Sequence, residues 1–402
     1  MTFAVFALPV LLALSPTSPA PTGSYHAKLE PVAGHDVAFG LAIAEKRNGL
    51  SATILNGPDR LAVSKASWDG KELVLELSHL DARLVLTPQE GGALAGTFTR
   101  VTAAQTVELA VTARKEAPAL PARVAQGTMA GEWNVSLGAA GKAEALEGVF
   151  TQQGVRVFGT LRSATGDYGP LHGTFDGRDL VLTVFDGVHV YRIAASTGDG
   201  GLSGEFRSRA SAPVPITFRR KARGEASLDA SALVKAKDPA APLRLSHPDE
   251  KGVAVSLDDP RFAGKALIVS TSGTWCPNCN DEAKVLVDLY ARHRSKGLEI
   301  VSVFYEYTDD VERSRRQVSR FRERYGIRYT TLLAGTTKTA KDTPLVLALD
   351  GWQGYPTTLF LDRQHRIVKT HSGFDGPATG VHHTELLKEM ERTVKEILRS
   401  KP

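Results

Sequence analysis

Only two cysteines occur in the 402 residues, and they stand together in Trp275-Cys276-Pro277-Asn278-Cys279. Two thiols spaced as C-x-x-C act on each other or on one metal. A zinc site takes about four ligands, and no second C-x-x-C or C-x-x-H group exists to complete one. A c-type haem site needs His directly after the second cysteine, where this chain has Asn280. The remaining chemistry is a dithiol–disulfide couple, with no metal and no cofactor beyond the Cys276–Cys279 disulfide itself.

The flanking residues predict strand, turn and helix. Ala266 to Val269 is a short apolar run of the kind a buried parallel strand shows. Ser270 to Thr274 is small and polar, a turn. Pro277 falls at the first helical position, which tolerates a missing N–H. Asp281 to Lys296 then places Val285, Leu286, Leu289, Tyr290 and His293 on one face, and Gly297 closes the helix. Cys276 therefore sits at a helix start, where free N–H groups and the macrodipole favour an anion. Its thiol pKa is expected to fall from about 8.5 towards roughly 3.5–7.5. Cys276 is the attacking thiolate, and Cys279, one turn further in, resolves. A merely structural pair in a core does not account for this placement or for Trp275.

Strand and helix patterns alternate downstream, which argues for an α/β layer with a mixed sheet. Leu298 to Phe304 and Tyr329 to Leu333 are strands. Between them Asp310 to Tyr325 is a basic helix with Val311, Val318, Phe321 and Tyr325 on its apolar face. Thr357 to Leu361 and Ile367 to Thr370 form a hairpin, and Thr384 to Leu398 is an amphipathic helix.

From about Leu243 to Pro402 the chain resembles the thioredoxin superfamily, specifically its TlpA/ResA-like thiol–disulfide oxidoreductases. The resemblance rests on Val255-Ser256-Leu257 with Gly264-Lys265, on Trp275-Cys-x-x-Cys279, on Glu282, and on Tyr355-Pro356-Thr357-Thr358 followed by Phe360-Leu361-Asp362. It implies a thioredoxin fold over 243–402 and a cis Pro356 beside the active-site disulfide. Trp275, Tyr355 and Pro356 would then contact the substrate, with the Tyr355 backbone offered to an incoming chain. It also implies a disulfide-containing protein as substrate, reduction as the direction, and a membrane thiol donor that recharges the pair. Many thioredoxins carry a buried Asp where this chain has Ser270. Glu282 is the matched candidate to relay a proton at Cys279, against a solvated first-turn glutamate, and Glu306 is a weaker second. The stretch from Cys276 to Pro356 is longer than in minimal thioredoxins. The basic helix and Ala334 to Gly354 are the insert, with Trp352 near the site's edge.

The first half differs in kind. Residues 1–22 carry an apolar run, Phe3 to Leu14, and then a Pro/Ser/Thr-rich stretch, which reads as a secretory signal without the usual basic start. A secreted or periplasmic location suits a chain with no spare thiol to mispair. From Gly23 to about Gly224 short β-type runs alternate with Gly, Asp and Asn, and blocks recur at a spacing of about 108 residues. Gly23-Ser24-Tyr25-His26 returns as Gly131-Glu132-Trp133-Asn134. Trp68-Asp69-Gly70 returns as Phe175-Asp176-Gly177, and Leu94-Ala95-Gly96-Thr97-Phe98 as Leu202-Ser203-Gly204-Glu205-Phe206. This duplicated all-β region, 23–115 and 128–224, is expected to form two meanders, either tandem small domains or two halves of one barrel or sandwich. Its histidines are scattered and build no catalytic group. Residues 225–242, rich in Ala, Ser, Asp and Lys, read as a linker.

The net charge of +5 is spread along the chain with a concentration at Arg313 to Arg328. A solvated helix face accounts for that concentration, and no nucleic-acid partner is expected. Two rival functions remain at this level. One is a peroxiredoxin-type thiol peroxidase, suggested by Thr274 two residues before Cys276. The other is an envelope binding or assembly protein with an accessory redox domain.

Overall fold

The computed structural model describes residues 18–102, 105–122, 127–228 and 233–401. The signal-segment reading of 1–22 therefore lies, up to residue 17, outside the described residues.

The first nine strands run from Gly23–Glu30 to Thr106–Arg114, each antiparallel to its neighbours. The last returns to the first, with His26 opposite Arg114, and Gly49–Asn56 pairs with both Val37–Lys46 and Lys65–Trp68. The sheet thus closes into an up-and-down barrel with the short Asp59–Ala62 strand appended. Closure removes the exposed edges that an open sheet would carry. Alternation fills the interior: Tyr25, Ala27 and Leu29 are buried while their neighbours face out.

A second barrel, from Gly131–Leu137 to Val214–Arg220, repeats the same strand order and closure. Of the two arrangements open to the duplication, each copy closes its own barrel. The recurring blocks have physical reasons. Asp69 Oδ1 accepts the N–H groups of Lys71 and Glu72 at 2.8 and 2.7 Å, and Asp176 Oδ1 those of Arg178 and Asp179 at 2.8 Å each. Gly70 and Gly177 supply the positive φ of 99° and 113° that these turns require. A Cβ on Gly96 or Gly204 would overlap a neighbouring strand's carbonyl, Val85 or Ala194.

The barrels are not independent. Phe185 and Val188 of the second join the first barrel's core, with the Phe185 ring 4.6 Å from Phe39 and 4.9 Å from Phe98. The Asn56 side chain exchanges two 3.0 Å hydrogen bonds with the Phe185 backbone.

The C-terminal sheet has the order Thr330–Thr336, Leu298–Glu306, Ala266–Ser272, Thr357–Leu361, Ile367–Ser372. The first three are parallel and the last two antiparallel. The central strand is buried along its whole length. Helices α1 (Pro277–His293), α2 (Val311–Tyr325) and α3 (Val381–Arg399) pack on one face through Leu286, Leu289, Phe321, Met390 and Val394. The opposite face is covered by Leu243, Leu245, Phe262 and the inserted Leu345 and Leu349. This order, with helices flanking a mixed sheet, is a thioredoxin fold.

Two expectations change. Both described ends of 225–242 are docked onto the flanking domains: Val234 is buried in the C-terminal core, Lys235–Ala236 pairs with Leu349–Asp350, and Glu225 binds back to Arg219 of the second barrel. The basic face of α2 is not merely solvated. Arg313 and Arg320 both reach Asp81 of the first barrel, Arg313 Nε at 2.9 Å and Arg320 Nη1 at 3.3 Å. Charge clustered in sequence could not show that its acidic partner lay in another domain.

Candidate active site

Cys276 caps the N-terminus of α1, its Sγ accepting the Cys279 N–H at 3.2 Å, with Pro277 at the first helical turn. The two cysteines are joined as a disulfide. The Asn280 side chain donates to the Cys276 carbonyl at 2.6 Å, and Tyr325 of α2 donates to Asn280 at 2.7 Å, which fixes the turn bearing the first thiol. Cys276 is 4% exposed and Cys279 1%.

The Tyr355–Pro356 peptide is cis, and the Tyr355 carbonyl lies 3.7 Å from Cys276 Sγ. This loop is anchored on both sides: Thr357 N–H bonds Thr271 Oγ1 at 2.9 Å, and Gly373 N–H bonds the Pro356 carbonyl at 2.8 Å. Trp275 stacks on Tyr307 at 4.2 Å, meets Tyr355 edge-on at 5.3 Å, and donates its indole N–H to the Tyr305 carbonyl at 2.8 Å. Trp352 of the insert also meets Tyr355 edge-on at 5.3 Å. The aromatic wall is therefore Trp275, Tyr307, Tyr355 and Trp352.

Glu282 is not a solvated first-turn residue. It is 1% exposed; the Ser270 hydroxyl donates to it at 2.6 Å, and Thr358 donates to its other oxygen. Burial pushes its carboxyl up to about 7, against the lowering effect of those two hydroxyls. Glu306 is the second buried acid. It accepts the Thr274 N–H at 2.9 Å and hydroxyl at 2.8 Å, and burial raises it to about 7 as well. Two protonatable carboxyls thus lie near the redox motif, Glu282 on α1 against Ser270 of the central strand and Glu306 bonded to Thr274. Among the described residues no cluster of His, Cys, Asp or Glu could hold a metal.

The second barrel also reaches the site, which the sequence did not signal. Its turn at Ser163–Asp167 touches the redox motif: Asn278 Nδ2 donates to the Asp167 carbonyl at 3.2 Å. Arg162 grips Asp375 with two bonds of 2.7 and 3.0 Å, and Asp167 Oδ2 accepts the Gly376 N–H at 2.6 Å. Contacts between residues more than a hundred positions apart, in different fold types, leave no local pattern to read.

Residues 235–385 match the Redoxin family model, and this segment is a Redoxin domain of thioredoxin fold. In sequence it is similar to the thiol-disulfide oxidoreductase ResA of Bacillus subtilis, 29% identical over 125 residues. It is also similar to the ResA of Halalkalibacterium halodurans, 28% identical over 125 residues. Each alignment covers 31% of this chain and 62% of the relative, so the chain spans under two thirds of the length of these curated relatives. Among solved structures it is similar to a putative thiol:disulfide interchange protein DsbE from Chlorobium tepidum, at 20% identity and a TM-score of 0.32. That match covers 41% of this chain and 98% of the other.

Proposed function

We propose that this chain is an extracytoplasmic thiol–disulfide oxidoreductase that reduces disulfides in protein substrates. The observation that carries the reading is Cys276 at the N-terminus of α1, bonded to Cys279 one turn on and set against the Tyr355 carbonyl. In the reduced protein the Cys276 thiolate attacks a substrate disulfide. A Cys276–substrate disulfide forms, and the first substrate sulfur leaves as a thiolate. Cys279 then loses its proton and attacks Cys276 Sγ, releasing the second substrate sulfur and closing the Cys276–Cys279 disulfide. Two electrons pass to the substrate, and a thiol donor must return them.

Glu282, one helical turn beyond Cys279, is the proton acceptor for the second step. A carboxyl raised to about 7 is matched to proton transfer near neutrality. Trp275, Tyr355 and Pro356 are assigned to substrate contact, with Tyr355 offering backbone to the incoming chain. An extracytoplasmic site of action is supported by the absence of any other cysteine. The peroxidase alternative finds less support, because the Thr274 hydroxyl is turned onto Glu306. The decisive experiment is insulin reduction by the full chain with a thiol donor, alongside its Cys276→Ser variant. Turnover in the parent and none in the variant is expected; equal rates would reject the assignment.

A further inference from the structure

A thiolate at a helix N-terminus is expected on the surface, where a protein substrate can reach it, yet Cys276 is only 4% exposed. The turn of the second barrel at Ser163–Asp167 lies against the residues on both sides of the cysteine, on α1 and on the cis-proline loop. On the α1 side Asn278 bonds the Asp167 carbonyl, and a Cβ added to Gly166 would collide with the Asn278 amide. On the cis-proline side Thr165 approaches Gly354, next to Tyr355. Beyond it, a Cβ on Gly373 would come within 2.5 Å of both Gly166 N and the Thr165 carbonyl carbon. Gly373 itself is bonded to the Pro356 carbonyl. Glycine at 166 and 373 is what lets the two backbones approach so closely. Arg162, paired with Asp375 and with Glu147, holds the turn down from behind.

We propose that the Ser163–Asp167 turn is the specificity element of the redox site: it fills the groove a substrate polypeptide needs, so Cys276 reacts only with a partner able to displace it. This rests on the oxidoreductase reading for its purpose, but not for its geometry. The intended partner is a polypeptide that competes for Asn278 and the Gly354–Tyr355 backbone as the turn does. Small disulfides that offer no such contacts cannot lift it. Reaction at Cys276 is then limited by the open fraction of the molecule.

The test uses the full chain. Gly166→Leu places a side chain where Asn278 already lies, and Arg162→Glu sets a carboxylate against Asp375. In both, iodoacetamide should label reduced Cys276 at least about ten-fold faster than in the parent, since labelling scales with the open population. Parental labelling rates in folded variants would overturn the proposal. A measurement free of folding concerns is hydrogen exchange on the Cys279→Ser chain, disulfide-linked at Cys276 to a cysteine peptide. Amides 163–167 should lose protection on linkage, and unchanged protection would equally overturn it. Insulin turnover is read in the parent, Gly166→Leu and Arg162→Glu, all of which keep both cysteines. Faster labelling in the two opened variants without insulin turnover even there would sustain the occlusion and remove the oxidoreductase reading, so the two fail separately.

Discussion

Ser270 on the central strand donates its hydroxyl to Glu282 on α1 at 2.6 Å. Related folds place a carboxylate on the strand itself at the Ser270 position. Here the strand carries only a hydroxyl, and the acid arrives from the helix one turn past Cys279. The exchange keeps a single buried carboxyl beside the central strand and bonds it to Thr358, the residue opposite Ser270 on the antiparallel neighbouring strand.

Glu282→Gln is expected to shift the pH–rate profile of disulfide reduction. Gln keeps the acceptor for Ser270 but cannot take a proton. The parent's inflection near pH 7, expected from the raised carboxyl, should be lost or moved. A stopped-flow profile between pH 5 and 9 that superimposes on the parent's would reduce Glu282 to a packing role.

The same residue links stability to pH. Its folded pKa of about 7 exceeds the unfolded value of 4.5. The stabilisation is therefore complete below pH 4.5 and is lost as pH rises through 7. Glu306 works in the same direction over the same window. Glu282→Gln should be more stable than the parent at pH 8, by on the order of 3 kcal/mol, and nearly equal at pH 4. Urea unfolding at the two pH values measures both.

The cysteines should divide their work. Cys279→Ser retains the Cys276 thiol and should accumulate a mixed disulfide with substrate, visible as a mass adduct. Cys276→Ser should form none and lose turnover. An adduct on Cys279 in the Cys276→Ser chain would reverse the assignment.

The redox motif was legible because its parts are local: C-x-x-C, Pro277 and the helical spacing after it lie within a few turns. The barrels were legible as repeats for a related reason. Asp69-Gly70 and Gly96 answer to turn geometry and close strand approach, which the same residues satisfy again at Asp176-Gly177 and Gly204. What could not be read were the contacts between domains. Asp81 with Arg313, and Arg162 with Asp375, are polar residues that look solvent-facing in isolation. Glu282 was recognised as a candidate, but its burial depends on Ser270 and Thr358, brought to it by the sheet.

Docking of the second barrel should weaken as pH rises. Asp167 is buried, and burial together with Asp281 of α1 and Asp375 of the facing loop raises it to about 7, while the Gly169 and Gly376 N–H groups lower it. Arg162, bonded to Asp375 and Glu147, is the nearby cation. An undocked Asp167 would titrate near its ordinary 3.8. The protonated form is thus favoured in the docked state, whose advantage declines between about pH 4 and 7 and then levels. Exchange protection of amides 163–167, corrected for intrinsic rates, should fall across that interval and stay level in Asp167→Asn. A flat parental profile would show that Asp167 does not titrate on undocking.

The boundary of the redox domain can be tested by truncation. Val234 is buried in its core, its carbonyl accepts the Thr370 hydroxyl, and Lys235–Ala236 adds a short strand against Leu349–Asp350. A fragment beginning at Ala241 loses all three. The Val234 side chain alone is worth roughly 1.5–3 kcal/mol, and removing 233–240 also strips the strand partner from Leu349. A fragment beginning at Leu233 is therefore expected to fold and reduce insulin, and one beginning at Ala241 to be less stable by at least that amount. Neither carries the Ser163–Asp167 turn, so Cys276 in the longer fragment should be alkylated faster than in the full chain. Denaturation midpoints and labelling rates of the two fragments check these outcomes together. Equal stability would return the boundary to about residue 243, while an unfolded Leu233 fragment would mean that the barrels complete the redox domain's core.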